Sequence, residues 1–222
     1  MEQNIFDLGL IGFKKSWVFQ QEVFKAVKAS YLDSAIIICR HEPVITLGRQ
    51  SHLQNILMPK ELLESRGIQL YEIERGGDVT YHGPGQVTVY PICNLNYLRK
   101  DVHWFLRQLE EAVIGFLSDF GINGERRQGL TGVWMGCEKI SSIGIAIRNW
   151  ITFHGITINI KQDDLANFNL IRPCGMDIKM TSLETLLGRE VGIQDVKSHL
   201  ARHFRDTLSA EAKSVPKEEV IW

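Results

Sequence analysis

The sequence predicts an α+β sandwich, in which a large mixed, mostly antiparallel sheet is flanked by helices. Three observations predict it: a helical apolar period near the start, alternating apolar runs between residues 130 and 160, and a return to helical spacing after residue 182. Residues 14–33 carry Trp17, Val18, Val23, Phe24, Val27 and Tyr31 at three and four spacing, which predicts an amphipathic helix. Ala35 to Cys39 and Val44 to Leu47 read as buried strands separated by His41-Glu42-Pro43. Pro59, placed for a first helical turn, precedes Glu61, Leu62 and Leu63, and Gly67 closes this short helix.

Ile68 to Ile73 and Gln86 to Pro91 are strand candidates on either side of a glycine-dense run, Arg75-Gly76-Gly77-Asp78-Val79-Thr80-Tyr81-His82-Gly83-Pro84-Gly85-Gln86. The run is expected to be an ordered loop, because glycine lets backbone approach a ligand closely and Pro84 fixes one φ. Asp101 is a good N-cap for a helix that carries Trp104, Phe105, Leu109, Val113 and Phe116 on one side and stops at Gly121. Leu130 to Met135, Ile140 to Ile147 and Ile151 to Ile160 then read as adjacent antiparallel strands, with a hairpin at Arg148-Asn149-Trp150. Helices are expected around Leu183 to Leu187 and Ile193 to Leu208, before a polar tail from about residue 211. The 222 residues read as one domain.

Composition narrows the function. With 25 basic and 26 acidic residues the net charge is −1, which argues against a nucleic-acid footprint and leaves recognition to local patches. Cys39, Cys93, Cys137 and Cys174 lack C-x-x-C spacing, so reduced thiols and a cytoplasmic protein fit better than a disulfide framework. The start of the chain lacks the order of a signal peptide, and no apolar run is long enough for a membrane span. No H-E-x-x-H or clustered Cys/His spacing suggests a metal site.

Two residues carry candidate chemistry. Cys174 stands in the loop-like Arg172-Pro173-Cys174-Gly175, where a thiol is accessible, and a neighbouring cation or base is needed to populate its thiolate. Lys139 opens the strand Ile140-Ser141-Ser142-Ile143-Gly144, and an inward-pointing amine there loses solvation and becomes suited to proton transfer. His41, His82 and His154 are alternative partners for the thiol, although a lone histidine in a strand is more often a hydrogen-bonded structural residue. The glycine run lacks the Lys and Ser/Thr ending of a nucleotide-binding loop and does not open a helix, which weighs against a phosphate cradle.

The run Arg75 to Gln86, the stretch Lys139 to Gly144, the segment Phe153-His154-Gly155-Ile156-Thr157-Ile158-Asn159 and Pro173-Cys174-Gly175 follow one another as they do in lipoyl(octanoyl) transferases, which this sequence resembles from its first helix to about Leu187. The resemblance implies a biotin/lipoate protein ligase-like fold. It implies transfer of an octanoyl group, without ATP or a cofactor, from octanoyl-acyl carrier protein to lipoyl domains. The implied acceptors are the lipoyl domains of 2-oxoacid dehydrogenase complexes and glycine cleavage H protein. By the same resemblance Cys174 forms an acyl thioester and Lys139 tunes it. The acyl-substrate contacts fall on Arg75, Gly76, Gly77, Asp78, Val79, Thr80, Tyr81 and His82, on Ser142, Ile143 and Gly144, and on Gly155, Ile156 and Thr157. An ATP-dependent lipoate or biotin ligase, or an octanoyl amidotransferase, on the same fold is the alternative, and Cys174 separates it from the ligases. Because carrier proteins and lipoyl domains are generally acidic, Arg126, Arg127, Lys139, Arg148 and Arg172 are candidates for a docking patch.

Overall fold

A computed structural model describes residues 3–173 and 177–212. Its main sheet runs in the order β1, β2, β6, β9, β8, β10, with β7 paired to β8. These strands are β1 (Gln3–Ile11), β2 (Ser34–His41), β6 (Gln86–Cys93), β7 (Val133–Met135), β8 (Glu138–Arg148), β9 (Ile151–Asn159) and β10 (Lys179–Met180). Parallel pairing is confined to β1 with β2 and β10 with β8, so the sheet is mostly antiparallel, as expected. A second sheet of three strands, in the order β4, β3, β5, holds β3 (Val44–Leu47), β4 (Gln69–Glu72) and β5 (Val79–His82).

Alternation along β2 explains the layers. Ile36 and Ile38 face one side, against α3 (Val102–Ser118) and α5 (Ile193–Ala212), in the larger core with Phe105, Val113, Phe116, Leu200 and Phe204. Ala35, Ile37 and Cys39 face the other side, where Val23 and Val27 of α1 (Phe13–Lys28) cover them. A strand covered on both faces reads as an unbroken apolar run, and β2 does. The small sheet has its own core, in which Ile45, Val79 and Tyr81 meet Leu63 of α2 (Lys60–Ser65) and Phe168 and Leu170 of a 3₁₀ segment, Asp163–Leu170.

Local chemistry sets the element ends. The Asp101 carboxylate accepts a hydrogen bond from Trp104 N at 3.0 Å and starts α3, matching the sequence reading. Asp101→Ala should therefore lower the midpoint of urea unfolding through loss of the cap. An unchanged midpoint would show that the cap contributes nothing. Asn149 and Trp150 take φ of 54° and 60°, the two left-handed residues of a tight hairpin between β8 and β9. Ser182 caps α4 (Leu183–Leu187), whose C-terminal Gly188 is left-handed at φ 64°.

Three expectations need correction. The first helix ends at Lys28, not 33, because Ser30 turns left-handed at φ 59°, and Tyr31 and Val18 lie exposed. The strand β1 is an addition to the expected elements; Gly9, left-handed beside a register shift, interrupts its alternation, and as an edge strand it leaves Ile5 and Leu10 exposed. The glycine run is not loop throughout, since Val79–His82 is a strand that pairs β3 from Leu47 to Val44. That pairing splits the β structure into two sheets. Among the described residues no helix is long and apolar enough to cross a membrane.

Candidate active site

A pocket lies where the small sheet faces the main one. The small-sheet side supplies Ile73, Arg75, Gly77, Asp78, Val79, Thr80 and His82, and the main sheet supplies Lys139, Ser142, Gly144, His154, Gly155 and Thr157. Phe13, Tyr90 and Ile143 complete the lining. Most of the residues expected to bind substrate or react therefore meet at one place: Arg75, Gly77, Asp78, Val79, Thr80, His82, Lys139, Ser142, Ile143, Gly144, Gly155 and Thr157.

Three expected residues do not line it. Tyr81 turns to the far side of β5, as strand alternation requires, where its hydroxyl donates to Asp164 Oδ1 at 3.0 Å and accepts from Asn167 Nδ2. Ile156 belongs to the core beneath α3 and α5 for the same reason. Gly76 is a seam residue: its N–H donates to Ile145 O at 2.8 Å and ties the loop to β8. Cys174 lies outside the described residues.

Register brings the pocket floor together. Ser142 pairs with Thr157, and Thr157 with Thr88, which lies buried behind the lining with its hydroxyl 3.0 Å from that of Thr157. Two residues along, Gly144 pairs with Gly155. Neither position has room for a side chain: a Cβ on Gly144 meets Arg75 Cδ at 2.8 Å and Gly76 O at 3.0 Å, and one on Gly155 runs into the Val89 carbonyl oxygen. The two glycines let the loop and the neighbouring strand close in.

Lys139 owes its direction to a bulge. Ile140, Ile143 and Ile145 face the helix-side core, and strict alternation from Ile143 and Ile145 would send Lys139 there too. The register instead slips, with Val133 opposite Ser141 but Trp134 opposite Lys139. The extra residue returns Lys139 to the pocket face, where it is 4% exposed. Lys139 is thus buried and cannot serve the docking patch expected of it. The other patch candidates are engaged within the fold: Arg126 bonds Glu110 and Glu111, Arg172 bonds Asp177, and Arg127 and Arg148 lie over the rings of Trp134 and Phe153.

Electrostatics make the histidines unreactive neighbours. His82 places Nδ1 3.2 Å from Thr157 Oγ1 and Nε2 3.4 Å from Thr46 Oγ1, so hydroxyls satisfy both ring nitrogens. Burial first, and then repulsion from Arg75 and from His41 and His154 in their protonated forms, holds its pKa well below the ordinary imidazole value. His41 is pushed down to about 4 by burial. His154 is lowered too, burial outweighing Glu74, whose carboxylate stands 3.7 Å from Nε2. All three are neutral at pH 7 and are weak proton acceptors there.

The ring of His154 makes no hydrogen bond at Nε2, which is buried with the Glu74 carboxylate 3.7 Å away, so the backbone is what fixes this residue. At φ 56° it occupies the left-handed region inside a strand, held by Gln20 Oε1, which accepts from its N–H at 3.0 Å. The kink turns the imidazole into the pocket. Phe13, Ile73 and Tyr90 also line the pocket, and the sequence does not single them out, since apolar residues at element starts and in buried strands carry no chemical signal. Arg75 does stand out: its buried guanidinium donates to Thr46 O at 2.7 Å, to Thr46 Oγ1 and to Gly76 O, joining the pocket loop to β3.

The Asp78 carboxylate extends these ties. It accepts from His52 N, Val79 N and Asn55 Nδ2, the last at 2.6 Å, and Asn55 O accepts in turn from Arg172 N at 2.7 Å. Beyond the undescribed residues, Lys179 and Met180 pair in parallel with Glu138 and Lys139, and Thr181 N donates to Lys139 O. Both described approaches to Cys174 are therefore anchored at this pocket. The remaining thiols differ: burial pushes Cys93 up to about 12 and Cys39 higher still, which makes both poor nucleophiles.

Comparison with known proteins is consistent across three kinds of likeness. The family of the lipoyl protein ligase A/B catalytic domain matches residues 13–205. The octanoyltransferase of Caldicellulosiruptor saccharolyticus is 40% identical over 223 residues, covering 99% of this chain and 94% of the relative. That of Caldanaerobacter subterraneus subsp. tengcongensis is 40% identical over 214 residues, covering 96% and 92%. The solved structure of a bipartite lipoate protein ligase from Thermoplasma acidophilum superimposes with a TM-score of 0.73 at 18% identity, covering 94% of this chain and 84% of that one, and shares the fold.

Proposed function

Because this chain belongs to the lipoyl protein ligase A/B catalytic family, we propose that it transfers an octanoyl group from octanoyl-acyl carrier protein to a lysine ε-amine on lipoyl domains. The acceptors are the lipoyl domains of 2-oxoacid dehydrogenase complexes and glycine cleavage H protein, and the product is the first intermediate of protein lipoylation. The observation that carries this reading is the burial of Lys139 at a pocket to which the chain on both sides of Cys174 is tied. The reaction belongs in the cytoplasm, where free thiols such as Cys39, Cys93 and Cys137 stay reduced.

The Cys174 thiolate attacks the thioester carbonyl, and the tetrahedral intermediate collapses by releasing the carrier thiolate, which takes its proton from the Lys139 ammonium. One thioester replaces another, so no ATP is needed. In the second half-reaction the acceptor amine attacks the enzyme thioester, gives its extra proton to Lys139, and expels Cys174 as thiolate. His82 is a poor substitute in either step, since a histidine held neutral by burial resists taking up a proton. Its part is to hold the Thr157 hydroxyl in the pocket from a ring backed by the buried Thr46. Burial of the acyl chain's methylenes in the pocket contributes about 0.8 kcal/mol for each one.

Octanoyl-acyl carrier protein mixed with an apo lipoyl domain, without ATP, should yield acylated domain. Mass spectrometry before acceptor is added should find one octanoyl group on Cys174. Acylation that appears only with ATP and free octanoate would overturn the proposal in favour of a ligase.

A further inference from the structure

The Lys139 ammonium lies 5.1 Å from the centroid of the Trp134 ring, and the indole is itself 2% exposed. Arg127 brings a second cation to the same ring, with Cζ at 5.2 Å. These contacts follow from local backbone geometry. The β7–β8 register slip that turns Lys139 toward the pocket is the step that sets Trp134 directly opposite it. Trp134 is in turn fixed by paired backbone hydrogen bonds, its N–H donating to Glu125 O and its carbonyl accepting from Glu125 N, both at 2.9 Å.

The stem of Lys139 is confined from another direction. Gly132, at φ 123°, packs so closely that a Cβ there comes within 2.5 Å of Lys139 Cε and 3.3 Å of Nζ. Its N–H donates to Oε1 of Glu110 at 3.0 Å, and the fully buried Glu110 is held by Arg107 and Arg126. The segment from Glu125 to Trp134 is thereby clamped to α3 and forms a socket: Gly132 beside the methylenes, the Trp134 ring beside the charge.

We propose that Trp134 is a positioning residue for Lys139, its ring holding the ammonium at the pocket in the orientation that proton transfer requires. A desolvated ammonium gains most from a ring quadrupole when water cannot reach it, and Lys139 and Trp134 are both buried. The indole also leaves the amine able to give up its proton, since a ring face, unlike a carboxylate, carries no formal charge to fix it. The proposal rests on the reading of Lys139 as the proton carrier.

A double-mutant cycle on octanoyl transfer from octanoyl-acyl carrier protein to an apo lipoyl domain tests it. Trp134→Leu should lower kcat/KM about tenfold, mostly in kcat, which is about 1.4 kcal/mol. Trp134→Phe, which keeps a ring face, should recover most of that loss. In a Lys139→Met background the same Trp134→Leu change should cost almost nothing, whereas a purely structural residue costs the same in both backgrounds. Should Trp134→Leu fail to fold, fluorinated tryptophans inserted at position 134 keep the shape while draining the ring face. Rates should then fall with each added fluorine when Lys139 is present and stay flat when it is not. Equal losses in both backgrounds, or rates indifferent to fluorination, overturn the positioning role and leave the functional reading standing. No transfer by the wild type, or full activity in Lys139→Met, overturns the functional reading and this inference with it.

Discussion

Cys174→Ala should lower octanoyl transfer by a factor on the order of 10⁴ to 10⁶ and abolish the covalent adduct, with the unfolding midpoint unchanged. Losses of that size accompany removal of a nucleophile that works as a unit with its base. No other described cysteine can stand in. Burial holds the thiols of Cys39 and Cys93 protonated, and Cys137, though exposed, sits at the β7–β8 turn and does not line the pocket. Single-turnover rates with octanoyl-acyl carrier protein measure the effect. A variant that still accumulates an octanoylated enzyme would place the nucleophile at another residue.

The second large effect concerns stability. Gly155→Ala should cost about 3 kcal/mol or more in urea unfolding, because the added methyl meets the Val89 carbonyl oxygen and lies 2.9 Å from Pro91 Cδ. These are backbone and ring atoms of a paired strand at the centre of the sheet, and they cannot swing aside as a flexible side chain would. Gly67→Ala provides the contrast. Gly67 follows α2 at φ 72°, and an added methyl there meets no atom within 4 Å, so only the left-handed strain of roughly 1 kcal/mol remains. If the two substitutions cost the same, close approach of β6 is not what the glycine in β9 provides.

Helices are more legible in this sequence than sheets. Asp101, Gly121 and the apolar stripe of α3 act within a few residues, so reading them needs no knowledge of the rest of the fold. The same holds for the hairpin at Asn149-Trp150. Strand pairing is non-local, and there the reading loses detail. Val79–His82 resembles loop because glycines crowd both sides of it, and its partner Val44–Leu47 lies more than thirty residues away. β1 is hidden by Gly9, which breaks the alternation that would reveal it.

The candidate site is legible where residue type advertises chemistry. Lys139, His82 and the glycines stand out in any strand-rich sequence, and their grouping at one pocket agrees with the order of motifs along the chain. Trp134 does not stand out, since a tryptophan in an apolar run reads as core, and only the slipped register sets it beside Lys139. The family resemblance implies Asp78 as a substrate contact, yet its carboxylate is taken up by Asn55, His52 and Val79. Residue type identifies such a position but not the direction in which its side chain bonds.

The floor of Ser142 and Thr157, backed by Thr88, forms in an order that translation sets. Thr88 is made first, Ser142 some fifty residues later, and Thr157 lies on the strand between their two strands, so the floor cannot form until β9 has left the ribosome. Translation runs from the N-terminus, and Cys174 emerges after every other residue of the site. Cys174, the proposed nucleophile, is thus the last of the candidate site residues to be synthesised. A chain halted before residue 174 lacks the proposed nucleophile, and one halted before β9 lacks the pocket as well.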